Sequence, residues 1–91
     1  MDSRNRWVVI FKALSNINRV KIIDILSREK KLSVGEIAKR LKISITATSN
    51  HLVSLQKLEV LNAEGREGHV YYSLNPDTPQ NFFKAIKLFL N

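Results

Sequence analysis

The stretch Leu32–Leu61, LSVGEIAKRLKISITATSNHLVSLQKLEVL, leaves this chain little freedom in how it folds. Val34, Ile37, Ala38 and Leu41 recur at i, i+3, i+4 and i+7, which is one face of a helix. Lys42, Ile43 and Ser44 interrupt that phase. A second helical phase follows, with Ile45, Thr48, Leu52, Leu55 and Leu58 on the side expected to be buried. Opposite them lie Thr46, Ser49, Asn50, Val53, Gln56 and Lys57, most of them short and able to hydrogen-bond. Ser33, with Glu36 three residues on, reads as a capping box for the first of these helices, and Ser44 reads as the N-cap of the second.

Two short helices joined by a tight turn, the second with small polar side chains near its start, are the pattern of a helix-turn-helix that reads DNA. Helix pairs that merely meet solvent also have polar outer faces, so the rest of the chain must discriminate. Fifteen Lys and Arg against eight Asp and Glu leave a formal net charge of +7. An excess of that size favours polyanionic partners such as nucleic acid or an anionic membrane, although a basic surface can also exist without one.

Several classes are excluded. There is no cysteine, so disulfides and thiolate metal sites are ruled out. Arg4 and Arg6 lead only into the short apolar run Trp7–Phe11, which is not a secretory pattern, and no segment approaches the length of a membrane span. A cytoplasmic protein is expected. No glycine-rich phosphate loop and no His–carboxylate constellation is present, so neither catalysis nor a cofactor is expected, and two histidines are too few for a metal site.

Periodicity predicts a first helix over Asp2–Leu14, with Trp7, Ile10, Phe11 and Leu14 on one face and Val8 beside it. A second helix over Ile17–Arg28, capped by Asn16, buries Val20, Ile22, Ile23 and Leu26 and leaves Arg19, Lys21 and Asp24 more exposed. Beyond Leu61 the period becomes that of strands. Val60–Glu64 and His69–Leu74 form a hairpin, with Gly65–Gly68 as its turn and Arg66 at the tip. Asn75–Pro79, with two prolines, ends the pairing and starts a last helix over Gln80–Leu90. That helix carries Phe82, Phe83, Ile86, Leu88, Phe89 and Leu90, more apolar surface than one face can bury in so small a domain, and the surplus is expected to meet a partner. The expectation is one domain over residues 1–91, mainly α with a small β-hairpin, in the order ααααββα of a winged helix-turn-helix.

With this order in place, the chain resembles the arsenical-resistance (ArsR-type) repressors over about residues 8–90. The resemblance is carried by Phe11–Ser15 with Asn18–Ile23, by Ser33–Ala38, by Ile43–Ser44 through Ser49–Leu52, and by Gly68–Leu74. It implies a homodimer in which the first and last helices pack across a two-fold axis, so that two reading helices enter successive major grooves of a palindromic operator. On this basis Trp7, Phe11, Phe82, Phe83, Ile86 and Phe89 are assigned to the dimer interface. Metal-sensing members of the family often carry two cysteines where this chain has Ser33 and Gly35. Others bind zinc through His and carboxylate ligands on the last helix, where this chain has none. No metal response is expected at either place. Glu59 stands where many relatives have glycine, which is costly if the position needs positive φ.

Of the recognition residues, Asn50 can pair with the N6 and N7 of adenine, whereas Thr46 and Ser49 are more permissive. Ser44 either caps the helix or donates to phosphate. His51 adjoins the buried Leu52 and is better suited to a structural or phosphate-facing role. Arg66 is the wing's candidate for the minor groove or a phosphate, although Glu64 and Glu67 beside it repel the DNA backbone, and His69 faces DNA or solvent. Lys39, Arg40, Lys42 and Lys57 are placed over phosphates, and Arg19 either joins them or pairs with a carboxylate. The competing function is a winged-helix module that binds protein or RNA rather than a DNA operator. A membrane-surface role for the last helix ranks behind dimer formation.

Overall fold

The computed structural model describes residues 3–78 and 80–90. Asp2, Pro79 and the side chains of Arg4, Arg6, Ile10 and Phe89, all used in the expectations above, lie outside the described residues. The elements run α1 (Ser3–Ala13), α2 (Ile17–Arg28), β1 (Leu32–Ser33), α3 (Val34–Leu41), α4 (Ile45–Lys57), β2 (Leu61–Arg66), β3 (His69–Leu74) and α5 (Gln80–Leu90). The expected order holds with one addition. Leu32 and Ser33 pair with Tyr72 and Tyr71, making the hairpin a three-stranded antiparallel sheet in the order β1-β3-β2.

Local chemistry accounts for the element ends. The Asn16 side chain accepts from the Asn18 N–H at 2.8 Å and starts α2. Ser33 and Glu36 form the reciprocal capping box of α3: Glu36 N–H donates to Ser33 Oγ at 3.2 Å, and Ser33 N–H donates to the Glu36 carboxylate at 3.0 Å. Those two bonds to Ser33 also hold the Glu36 carboxyl below its ordinary value. Lys42 ends α3 in the left-handed region at φ 58°, its N–H donating to the Ala38 carbonyl, and this reverses the chain within three residues.

The core is contiguous. Ile22, Ile23 and Leu26 of α2, Ile37 of α3, Leu52 and Leu55 of α4, and Leu61 and Tyr72 of the sheet are all buried together. From α5, Phe82 and Ile86 join the same cluster and are essentially inaccessible. This corrects their assignment to a dimer interface: at i and i+4 they face inward and close the domain's own core. Phe83 is half-buried against that cluster, and Leu88 is 80% exposed. Among the described residues, buried Ala13 at the end of α1 and half-buried Leu14 just after it join the core. Trp7, Val8 and Phe11 remain on the surface.

The hairpin turn is tighter than expected. Gly65 and Arg66 remain in strand, paired with Val70 and His69, and the reversal is made by Glu67 and Gly68 alone. Both have positive φ, 51° and 81°, as a two-residue turn between twisted strands requires. Arg66 therefore flanks the turn and does not occupy its tip.

Glu59 has φ 63°, so the suspected strain at that position is present. Its N–H donates to the Gln56 carbonyl at 2.9 Å and its carbonyl accepts from the Asn75 side chain at 2.8 Å, and a glycine would keep both bonds. Relief of the left-handed penalty outweighs the extra chain entropy of glycine. Glu59→Gly is expected to raise stability by about 0.5–1 kcal/mol, or several degrees in thermal unfolding. A lowered Tm would show that the Glu59 side chain contributes more than its backbone conformation costs.

Candidate nucleic-acid interface

The turn Lys42–Ser44 sets α4 beside α3 as the second helix of a helix-turn-helix. Ser44 caps α4: its Oγ accepts from the Ala47 N–H at 3.0 Å while its carbonyl takes the Thr48 hydroxyl at 2.8 Å. Thr48 is thereby fully buried with its hydroxyl satisfied, and Leu52 and Leu55 continue the inward face. That register turns Thr46, Asn50, Val53, Gln56 and Lys57 outward, with Ser49 half-buried between them. One expectation fails here. Ile45, placed by its spacing on the buried side, is 63% exposed, because it stands at the leading end of α4 and the inward face begins only at Thr48.

The basic residues fall into two groups. Lys39, Lys42 and Lys57 are exposed and make no ion pair among the described residues. Arg40 is held by Glu29 at 2.6 Å and Arg66 by Glu64 at 3.2 Å. Glu64 also takes Lys31, whose place beside the wing went unrecognised in the sequence because the partners are 33 residues apart. The Lys31 hydrogen bond, with the charges of Lys31 and Arg66, keeps the Glu64 carboxyl below its ordinary value. The wing cations are thus matched to a carboxylate that a DNA phosphate would have to replace.

His51 and Arg19 come together between α4 and α2. Burial, and secondarily the Arg19 charge, hold the His51 imidazole below its ordinary value, which favours its neutral form. Arg19 donates to the Lys12 carbonyl only at 3.5 Å, and its buried Nε has no partner among the described residues. His69 is exposed and lies edge-on to Tyr71, with ring centroids 6.3 Å apart.

A second surface is apolar and is drawn from α1 and α5. Trp7 and Phe11 form a tilted pair, ring centroids 6.0 Å apart. An apolar hollow of about 290 Å³ is lined by Leu14, Val20, Ala85 and Ile86. Trp7, Phe11 and Leu88, respectively 36%, 64% and 80% exposed, keep apolar area in solvent.

The donor set does not suit a metal sensor. Ser33 Oγ is a neutral hydroxyl committed to the Glu36 N–H, and Gly35 has no side chain. From Gln80 to Asn91 there is no His, Asp or Glu. Among the described residues no group of three or more His, Cys, Asp or Glu converges, and no helix is long and apolar enough to cross a membrane.

Comparison with known proteins agrees with this geometry. Residues 16–63, spanning α2 through the start of the hairpin, match the family model described as bacterial regulatory protein, arsR family. The chain is 34% identical over 82 residues to the transcriptional repressor SdpR of Bacillus subtilis, covering 90% of each. It is 44% identical over 78 residues to the cadmium resistance transcriptional regulatory protein CadC of Listeria innocua, covering 86% of this chain and 58% of that protein. The structure of HlyU from Vibrio cholerae superposes with a TM-score of 0.79 at 31% identity, over 98% of this chain and 94% of the other. The chain belongs to the arsR family of bacterial regulatory proteins.

Proposed function

We propose that this chain is a DNA-binding transcriptional regulator, a repressor as SdpR is, that reads a palindromic operator as a homodimer in the cytoplasm. The observation that carries the reading is the outward face of α4. Thr46, Ser49 and Asn50 stand on its first two turns behind a well-made cap, while Lys42 and Lys57 flank them without carboxylate partners among the described residues. That face fits a major groove, with polar groups for base edges at its centre and cations for phosphates at its margins. Exposed Trp7, Phe11 and Leu88 supply a surface for a second copy. Two copies related by a two-fold axis match two half-sites. Because the positions of the family's cysteines hold Ser33 and Gly35, the regulator does not answer to metal there.

The test is selection from a random duplex library by purified protein at about 150 mM salt, where non-specific phosphate binding is suppressed. An inverted repeat with half-sites about one helical turn apart is the expected result. Uniform weak retention of all sequences would reject operator reading and favour a protein or RNA partner. On the selected site, Asn50→Ala is expected to lower affinity by about 5–150-fold and to relax preference at one base pair. Arg66→Ala should weaken all sequences alike by a smaller factor, because Arg66 must first leave Glu64. Unchanged base preference in Asn50→Ala would remove Asn50 from the reading face.

A further inference from the structure

Building on the operator reading above, we infer that Ile45 is a specificity-determining residue that recognises the 5-methyl group of a thymine in each half-site. Ile45 is the first residue of α4, immediately after the Ser44 cap, and is 63% exposed. Lone exposed aliphatics are ordinary on protein surfaces. This one is distinguished by its neighbours, since it shares the first turns of the reading helix with Thr46, Ser49 and Asn50, the polar groups available for base edges. The stripe continues through Ser49 to Val53, itself 38% exposed, one helical turn at a time.

An isoleucine has no hydrogen bond to offer a base. In the major groove the apolar feature of the base edges is the thymine methyl, and the N-terminal residues of a recognition helix are those that reach it. The cap fixes the direction of the side chain. Ser44 holds the first turn through Ala47 N–H and Thr48 Oγ1, and buried Thr48 fixes its rotation. Ile45 stands at the leading end of α4, beyond the core that begins with Thr48, where covering it with a methyl group removes apolar area from water at no loss of hydrogen bonds.

The experiment uses the full chain and the selected operator. Each thymine is replaced in turn by deoxyuridine, which deletes the methyl group and leaves the Watson–Crick pair intact. One position per half-site is expected to lose about fourfold in affinity on this change, the worth of one buried methyl. Replacing both symmetric positions should compound the loss to more than tenfold. In Ile45→Ala the thymine and deoxyuridine operators are expected to bind equally. Equal binding of every deoxyuridine operator by the unaltered chain overturns the assignment, as does a selected site without thymine, and both leave operator reading intact. A deoxyuridine penalty that persists in Ile45→Ala also overturns it, by moving methyl recognition to another residue. Failure to enrich any operator rejects operator reading and this assignment together, which separates that outcome from the others.

Discussion

Phe82→Ala is expected to destabilise the isolated domain by about 3–5 kcal/mol, the usual result of removing a fully buried phenylalanine. The Phe82 side chain has no accessible surface, packs 5.9 Å from the ring of Phe83 between centroids, and shares a cluster with Val20, Ile86 and the sheet residues. Small domains hold about 5–15 kcal/mol in total, so the loss is a large fraction of what keeps this chain folded. The measurement is urea unfolding at several protein concentrations. A core role predicts a midpoint shift that persists at every concentration. If Phe82 instead served a second copy, the deficit would shrink as the concentration is lowered and both proteins become monomeric. Such behaviour would reverse the placement of α5.

Phe11→Glu should produce the opposite division of effects. Phe11 is 64% exposed beside Trp7 and Val8, so the monomer loses little by the change. In a dimer built on this face the new carboxylate would be buried against aromatic and aliphatic carbon, where an unpaired charge is strongly unfavourable. Dissociation into folded monomers is expected, readable by sedimentation equilibrium. Operator affinity should fall by about 10²–10⁴-fold, because each half-site is then bound without the benefit of its tethered neighbour. A dimer that survives Phe11→Glu would move the interface away from α1.

Much of this molecule was legible in its sequence, for identifiable reasons. The start of α2, the capping box of α3 and the cap of α4 follow from side chains that act within four residues of one another, and such signals survive any tertiary arrangement. The failures share a different cause. β1 is two residues long, too short for alternation to register, and exists because Leu32 and Ser33 lie alongside Tyr72 and Tyr71. Ile45 has the spacing of a buried residue, but spacing does not say where the core ends along a helix. Phe82 and Ile86 were assigned to a partner from the family resemblance and the apolar surplus of α5, and neither separates a residue that closes its own domain from one that waits for another. The pairs of Glu29 with Arg40 and of Glu64 with Lys31 join separate segments, whereas Glu64 reaches Arg66 within its own strand, and together they moved two arginines from the free to the engaged class.

Ser33 belongs to two elements at once. Its backbone pairs with Tyr71 at the edge of the sheet, and the same residue caps α3. The sheet and α3 consequently share a residue, which couples a tilt of one to the other. The span between the wing and the leading end of α4 is expected to stay nearly constant, as in a fixed caliper. A duplex offered to such a caliper must adjust its own groove widths to fit, and sequences differ in how readily they bend to that gauge. Base composition at steps that no side chain touches should therefore influence which sites are held.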